Sequence, residues 1–238
     1  MATEIQRIVL QGIEAGLAVS QEELVDSMQL PEGSDADDVA TANEMARQAM
    51  EIANPKAVYC VAPIEEKREK SVVVAGVELT SPLVRSNLDH TERIVPFVVT
   101  CGTELEEWSQ RFDDLLEQYW ADGIKRYYLG KMQAWFSQHI HKRYFTGADM
   151  SAMSPGSLPV WPLRQQRPLF ELIGDVKGLI GVELTDSFLM LPSKSSSGFF
   201  FSAQSHYENC RYCPILDCPN RRAKFQAENA ALGQAESV

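Results

Sequence analysis

Two stretches near the end of the chain decide the fold: SPGS at residues 154–157 and GVELTDSFLMLPSKSSSGFFF at residues 181–201. In the first, a proline fixes the backbone and a glycine frees it, a combination that favours a tight loop with exposed main-chain N–H groups. The serines before Gly198 form a second such turn, and an apolar run follows them. These features indicate either a loop that holds a small polar ligand or an ordinary loop, hairpin and strand that build a core.

A series of short motifs follows a fixed order between residues 93 and 202. They are VVTCG at 98–102, HKR at 141–143, SPG at 154–156, LFEL at 169–172, IG at 180–181, LTDS at 184–187, MxP at 190–192 and SxSGxxF at 195–201. In order and spacing they resemble the reactivation domain of cobalamin-dependent methionine synthase, and more closely the free-standing relatives of that domain. No single motif is specific, and the resemblance depends on the whole series.

The resemblance implies an α+β fold like that of the activation domain. We expect a mixed or antiparallel sheet, helices grouped at one side and a small cysteine-rich C-terminal extension. It also implies a loop that holds S-adenosylmethionine. Eight residues map onto this loop, a neighbouring strand and the end of the preceding helix. They are Ser154, Pro155, Gly156, Ser157, Ser195, Ser197, Gly198 and His141.

The resemblance also implies an accessory role for a cobalamin-dependent methyltransferase of the methionine synthase type. In that family an inactive, oxidised corrinoid receives an electron from a separate donor and is trapped by methylation from S-adenosylmethionine. The expected partners are therefore a corrinoid-binding protein or methyltransferase, through which cobalamin is reached, and an electron donor. Any enzymatic activity would be part of that methyltransferase reaction, whose chemistry belongs to the cofactors.

The ligand motif departs from the family at three positions. Ala152 occupies the place of an arginine, Ser157 that of a tyrosine, and Gln138 that of an acidic residue on the preceding helix. An arginine that pairs with the ligand carboxylate contributes roughly 1.5 to 3 kcal/mol, so its loss predicts weakened or lost S-adenosylmethionine binding. These departures favour the alternative function, a non-catalytic binding or scaffold protein of the same fold with a structural zinc site.

Composition limits the partners and the compartment. The 238 residues carry a formal net charge of −11, which argues against binding to nucleic acid or to anionic membranes. No apolar run is long enough to cross a membrane, and the first residues do not have the pattern of a secretion signal, so we expect a cytoplasmic protein. The concentrated basic patch at residues 220–224 either offsets the charge of nearby thiolates or forms an exposed face.

Five cysteines, an odd number, fit a reducing compartment better than a disulfide framework. Three of them, Cys210, Cys213 and Cys218, have the spacing of metal ligands, and thiolates select zinc or iron. The sequence predicts an iron-sulfur cluster, which would suit electron delivery, or a zinc ion. The candidates for a fourth ligand are His206, Cys60 and Cys101.

Apolar spacing predicts the remaining elements. The first 54 residues predict three helices, at Ile5–Ile13, after Ser20 and at residues 37–52. Strands are predicted at Ala57–Ile64, on both sides of Ala75-Gly76, and at Ile94–Cys101, where Pro96 indicates an edge or a bulge. A helical hairpin is predicted at Thr103–Tyr119 and Asp122–Tyr144.

Four segments follow from these elements. They are an N-terminal helical segment at residues 1–54, an α+β core at 55–202 that forms one domain with those helices, a cysteine-rich metal-binding extension at 203–225 and a tail at 226–238. The sequence contains no phosphate loop, Ser/His/Asp triad or paired-carboxylate motif that would indicate a kinase or a hydrolase.

Overall fold

We describe the protein from a computed structural model, which covers residues 5–12, 16–203, 207–218 and 221–226. The predicted tail beyond Gln226 lies outside these residues. The helices are α1 (Gln21–Ser27), α2 (Ala36–Ile52), α3 (Pro82–Asn87), α4 (Thr103–Ser109), α5 (Leu115–Tyr144), α6 (Gln166–Ile173) and α7 (Val176–Ile180). The strands are β1 (Ile8–Gln11), β2 (Lys56–Tyr59), β3 (Ala62–Lys67), β4 (Ser71–Val74), β5 (Val77–Thr80), β6 (Arg93–Thr100), β7 (Met150–Met153), β8 (Glu183–Leu184), β9 (Met190–Leu191) and β10 (Ser195–Ser202). None of the described helices is long and apolar enough to span a bilayer.

Strand β6 lies at the centre of a curled antiparallel sheet. Along one edge its first half pairs with β3 and its second half with β2, and β10 runs along its other edge. The sheet continues through β1 beside β2, through β4 and β5 beside β3, and through β7 beside β10. Residues 94–100 are buried throughout because both faces of β6 are covered.

Pro96 lies in this central strand, although the sequence predicts an edge or a bulge there. Its carbonyl oxygen accepts the N–H of Cys60 at 3.2 Å, so its own nitrogen faces the same edge of β6. Strand β2 ends at Tyr59 and β3 begins at Ala62, which leaves a gap in the pairing opposite Pro96. The missing N–H of Pro96 leaves the Cys60–Pro96 pair with one hydrogen bond, and the single strand predicted over Ala57–Ile64 is divided at this gap.

The long helix α5 covers one face of the sheet. Its apolar stripe contacts β6 and β10, where the rings of Phe97 and Phe200 stack with centroids 4.6 Å apart. The ring of Phe136 lies 5.5 Å from Phe97 and 5.8 Å from Phe200. Helices α1, α2 and α4 pack with the first half of α5 around Trp108 and Trp120.

The short helices α6 and α7 cover the opposite face. Ile173 and Ile180 pack there in one cluster with Val98 of β6. Next to them, Trp161 packs on Phe199 of β10 with ring centroids 5.3 Å apart. The sheet is therefore buried on both sides where β6 and β10 pair.

The predicted α+β fold is confirmed, and several local predictions hold with it. Ser20 and Glu23 form a reciprocal capping box at the start of α1, with bonds of 3.1 and 3.0 Å. Strands β4 and β5 form a hairpin that turns at Ala75 and Gly76, whose φ angles of 48° and 81° favour glycine.

The first predicted helix, Ile5–Ile13, is wrong. Ile8–Gln11 form strand β1, which pairs with β2 through Ile8 opposite Tyr59 and Gln11 opposite Lys56. Residues 13–15 lie outside the described part of the chain. In so short a segment the apolar positions fit a helix and a strand equally well, and the pairing with β2 decides between them.

The predicted helical hairpin, Thr103–Tyr119 followed by Asp122–Tyr144, is also wrong. Helix α4 ends at Ser109, and α5 is a single helix of 30 residues. The break falls before Leu115 because the carboxylate of Asp114 accepts two main-chain N–H groups of the first turn, at 2.8 and 3.1 Å. Such a cap satisfies donors that the start of a helix leaves unpaired.

Candidate ligand site between the long helix and the sheet

The two stretches that decide the fold meet where β7 runs beside β10. Met153, the last residue of β7, pairs with Phe199, and the chain then turns into the loop Ser154–Gly156 beside Gly198. A Cβ atom at Gly198 would collide with the carbonyl oxygen of Met153 and lie 2.8 Å from Oγ of Ser154. Because only glycine fits there, the predicted ligand loop comes into direct contact with Gly198. The turn predicted at the serines before Gly198 is wrong, because Ser195–Ser202 form strand β10, which is paired with β6 from Ser195 onward.

The loop at residues 154–157 is held by its own hydrogen bonds. The N–H of Gly156 donates to the carbonyl oxygen of Trp161 at 2.8 Å, and the N–H of Ser157 donates to that of Ser154 at 3.3 Å. The hydroxyl of Ser157 donates to the same oxygen of Ser154, and Pro155 is buried. The expectation that this loop offers free N–H groups is therefore not met at Gly156 and Ser157, because the turn itself uses them.

Ser195 and Ser197 lie on the other face of β10. Side chains alternate along a strand, so these two serines share the face of Phe199, whereas Gly198 and Phe200 share the face of α5. The hydroxyl of Ser195 lies 2.9 Å from that of Thr100 and donates to the carbonyl oxygen of Pro192 at 2.7 Å. The structure thus gives Ser195 a bonded position in the sheet and does not bring its side chain to the face of α5.

A cysteine-rich segment, defined here as residues 207–218 and 221–226, packs on β7. The N–H of Tyr207 donates to Oγ of Ser151 at 3.0 Å, and its hydroxyl donates to Oδ1 of Asn209 at 2.8 Å. The side chain of Tyr207 is buried, and this burial raises its pKa well above the usual range. The segment is therefore attached to the edge of the sheet just before the Ser-Pro-Gly loop.

A cleft of about 220 Å³ opens between α5, the β7–β10 edge and the cysteine-rich segment. Its walls include Ser137 of α5, Ala152 of β7 and Phe200 of β10, with Glu208 and Arg222 from the cysteine-rich segment. Ala152 pairs with Phe200 in the sheet and comes two residues before the Ser-Pro-Gly loop. The cleft therefore lies where the family resemblance places the arginine that Ala152 replaces.

Two polar residues of α5 lie close to this cleft. His141 is one helical turn beyond Ser137 and shares its face, because residues four apart are neighbours on a helix. The side chains of His141 and Gln138 are both exposed. His141 therefore lies on the exposed surface of α5, and its part in a ligand site stays a prediction.

The cleft contains one carboxylate and one guanidinium. Nη2 of Arg222 lies 3.1 Å from Oε1 of Glu208, and the side chains are 74% and 13% exposed, respectively. Oε1 of Glu208 is shielded from solvent and meets no well-aligned hydrogen-bond donor among the described residues. The two groups therefore form an ion pair without an aligned hydrogen bond, in which the carboxylate is mostly shielded and the guanidinium is exposed.

The three clustered cysteines are free thiols and half-buried. Arg221 stabilises the cysteine-rich segment, because its guanidinium donates to the carbonyl oxygens of Cys210 and Cys213, both at 2.8 Å. Sγ of Cys210 accepts the N–H of Arg222 at 3.4 Å. In the described part of the chain, no group of three or more His, Cys, Asp or Glu residues could hold a metal ion. His206 lies outside that part, and the metal site at Cys210, Cys213 and Cys218 stays a prediction.

The two other cysteines lie in the core, where both side chains are fully buried. Cys101 packs among the helices with Trp108, whereas Cys213 packs against the cluster that contains Trp161. Burial raises the pKa of Cys60 to about 11 and that of Cys101 to about 12. A role for either as the fourth ligand stays a prediction.

Sequence reasoning did not find Glu208 and Arg222 as site residues. The basic patch at residues 220–224 was a signal for Arg222, but two interpretations of it were open. The distance of 70 residues in sequence between Ala152 and Arg222 hides their common cleft, which only the docking of the cysteine-rich segment on β7 creates.

By sequence, the chain matches no known family profile and no curated protein. Its fold is that of a reactivation domain, with a curled antiparallel sheet crossed by one long helix. The structure is similar to the crystal structure of the MetH reactivation domain bound to AdoHcy, with a TM-score of 0.59 over 86% of this chain and 80% of that chain. The sequence identity is 16%, so the likeness shows a shared fold.

Proposed function

We propose that the protein binds an S-adenosyl ligand and serves as an accessory protein in the reductive reactivation of a cobalamin-dependent methyltransferase. The observation that carries this proposal is the contact between the Ser154–Gly156 loop and Gly198, in a fold shared with a reactivation domain bound to AdoHcy. The corrinoid would belong to a partner protein, and a separate donor would supply the electron.

The residues present fit the ligand at one end. AdoHcy, S-adenosylhomocysteine, and S-adenosylmethionine both carry an α-amino acid group with one positive and one negative charge, and the cleft contains Glu208 and Arg222. The loop at residues 154–156 adjoins this cleft and would position the rest of the ligand. When bound, S-adenosylmethionine supplies a methyl group, and this chain would hold and orient it.

In the proposed function, as in the family resemblance, a separate protein supplies the electron. The acidic net charge of −11 favours a neutral or basic protein face as the docking surface of the partner.

A scaffold function without ligand is the second candidate. It is favoured by the loop itself, in which the N–H groups of Gly156 and Ser157 are already bonded. In that case the cysteine-rich segment would hold a structural zinc ion or contact another protein.

Calorimetric titration with S-adenosylmethionine and AdoHcy separates the two candidates. We expect saturable binding of both, and no binding of ATP, which shares the adenosine and lacks the thioether and the amino acid. A second assay would add the protein to a methionine synthase that lacks its own reactivation domain, with a chemical reductant. Recovery of turnover that needs both this protein and S-adenosylmethionine supports the proposal, and absence of binding overturns it.

A further inference from the structure

We propose that Glu208 and Arg222 bind the two charged groups of an α-amino acid, Glu208 the ammonium and Arg222 the carboxylate. This inference rests on the proposed function, because the amino acid is taken to be one end of an S-adenosyl ligand. The cysteine-rich segment would then supply the guanidinium that β7 lacks at Ala152.

Position favours this pair, because Ala152 and Arg222 both line the cleft. A guanidinium at residue 222 therefore borders the same space as residue 152 of β7. The side chain of Arg222 is 74% exposed, so a ligand carboxylate can approach it from solvent.

The charges of Glu208 and Arg222 also match such a ligand. A ligand with an ammonium and a carboxylate can insert between Glu208 and Arg222 and give each of them an opposite partner. Guanidinium groups bind carboxylates through two parallel hydrogen bonds, which a lysine cannot reproduce. The shielded Oε1 of Glu208 would gain in the ligand ammonium a donor that the described residues do not supply in good geometry.

The cleft is small for a whole ligand. Pockets for whole small molecules have volumes of roughly 300–1,000 Å³. The cleft, at about 220 Å³, suits one end of a ligand. The adenosine end would then extend past Ala152 along the Ser-Pro-Gly loop, which follows it in the chain.

The main chain at Arg222 is held by neighbouring residues. Its N–H is bonded to Sγ of Cys210, and the neighbouring Arg221 bonds to the carbonyl oxygens of Cys210 and Cys213. Tyr207 attaches the same segment to Ser151 of β7. Arg221 and Tyr207 are thus positioning residues for the Glu208–Arg222 pair.

The test compares two ligands that differ only at the amino acid end. AdoHcy has this end, and 5′-methylthioadenosine keeps the nucleoside and the thioether without it. Binding of each is measured by calorimetry for the full chain, for Arg222→Ala and for Glu208→Gln. The matched control is Arg211→Ala, which removes the same charge from the cysteine-rich segment outside the described cleft wall.

We expect Arg222→Ala to weaken AdoHcy binding by about 10- to 100-fold, the range for loss of a charge-assisted hydrogen bond. Glu208→Gln should weaken it in the same direction. Binding of 5′-methylthioadenosine should be unchanged in both variants, and Arg211→Ala should bind both ligands normally. The double variant Ala152→Arg with Arg222→Ala should regain AdoHcy binding, since the new guanidinium enters the same cleft.

The possible failures are distinct. If the unmodified protein binds neither ligand, the proposed function is overturned, and this inference with it. If it binds AdoHcy and Arg222→Ala binds it equally well, the proposed function stands and the inference is overturned. An equal loss of affinity for AdoHcy and 5′-methylthioadenosine would also overturn the inference. The substitution would then act by disturbing the fold of the cysteine-rich segment.

Discussion

Gly198 lies against Ser154, so closely that a Cβ atom at position 198 would lie 2.8 Å from Oγ of Ser154 and collide with the carbonyl oxygen of Met153. This contact joins two parts of the chain that are 44 residues apart in sequence. It fixes the Ser-Pro-Gly loop at the edge of the cleft. The shape of the proposed site therefore depends on residue 198 being a glycine.

Gly198→Ala should therefore separate β7 from β10. We expect the free energy of unfolding to fall by about 1–3 kcal/mol, because the added methyl group meets main-chain atoms that cannot move aside. Urea unfolding measures this change. Gly130→Ala is the matched control: Gly130 is exposed on α5 with open space around it, so alanine should raise stability by about 0.5–1 kcal/mol. Equal stability of the two variants would contradict the contact.

The five cysteines should divide into two classes of reactivity. Cys60 and Cys101 are fully buried with raised pKa values, whereas the three cysteines of the cysteine-rich segment are only half-buried. In protein treated with a chelator, N-ethylmaleimide should modify Cys210, Cys213 and Cys218 rapidly, and the other two only after unfolding. Peptide mass spectrometry gives the sites, and rapid labelling of Cys60 would show that its burial is wrong.

Metal content tests the spacing of the three clustered cysteines. Protein purified without oxygen should contain either iron and sulfide, with visible absorption, or zinc, and Cys210→Ser should lose the metal. Cys60→Ala is the control that should keep it, because that thiol lies in the core. Absence of metal from the unmodified protein would show that these cysteines are not ligands.

Glu104 should make stability depend on pH at the acid end. Burial acts to raise its pKa, but hydrogen bonds from Lys56, its own main-chain N–H and Asn54 outweigh burial, and the pKa is lowered from 4.5. A lowered pKa means that the stabilisation is complete above pH 4.5 and is lost as the pH falls through the folded-state value.

Glu104→Gln should accordingly be less stable than the unmodified protein at pH 7, with a difference that shrinks as the pH falls below 4.5. Urea unfolding at a series of pH values measures the difference. Glu107→Gln, on the exposed side of the same helix, should show little difference at any pH. A stability difference between Glu104→Gln and the unmodified protein that stays constant down to the lowest pH would contradict the assigned contacts.

The fold could be predicted because its motifs are local and ordered. The Ser-Pro-Gly loop, the turn at Ala75-Gly76 and the capping box at Ser20 each depend on neighbouring residues, which a sequence displays directly. The series of motifs from residue 93 to 202 then fixes the topology by resemblance, and the shared fold agrees with it.

The helix boundary could not be predicted, because exposed apolar residues imitate a buried stripe. Leu115 and Tyr119 fit the periodic pattern that continues α4, yet they are 81% and 49% exposed in the structure. The cap at Asp114 was a competing signal that the apolar pattern concealed. Strand β1 was not predicted for a related reason. Its partner β2 begins 45 residues after β1 ends, so the pairing is not visible in the local sequence.

The resemblance indicated the loop at residues 154–156, His141 and Ser195. In the structure the loop lies against Gly198, His141 is exposed on α5, and the hydroxyl of Ser195 bonds within the sheet. Glu208 and Arg222 come from an extension outside the matched region, so the resemblance did not indicate them. Sites built by the docking of distant segments have no short spacing for a sequence to reveal.

The central claim is that the cleft between α5, the β7–β10 edge and the cysteine-rich segment holds an S-adenosyl ligand. Hydrogen–deuterium exchange with and without saturating AdoHcy tests it most directly, because it measures binding and location together. We expect slower exchange in peptides that cover residues 150–157 and 207–218, with no change in α1 and α2. Unchanged exchange throughout, or protection confined to other parts of the chain, would contradict the account.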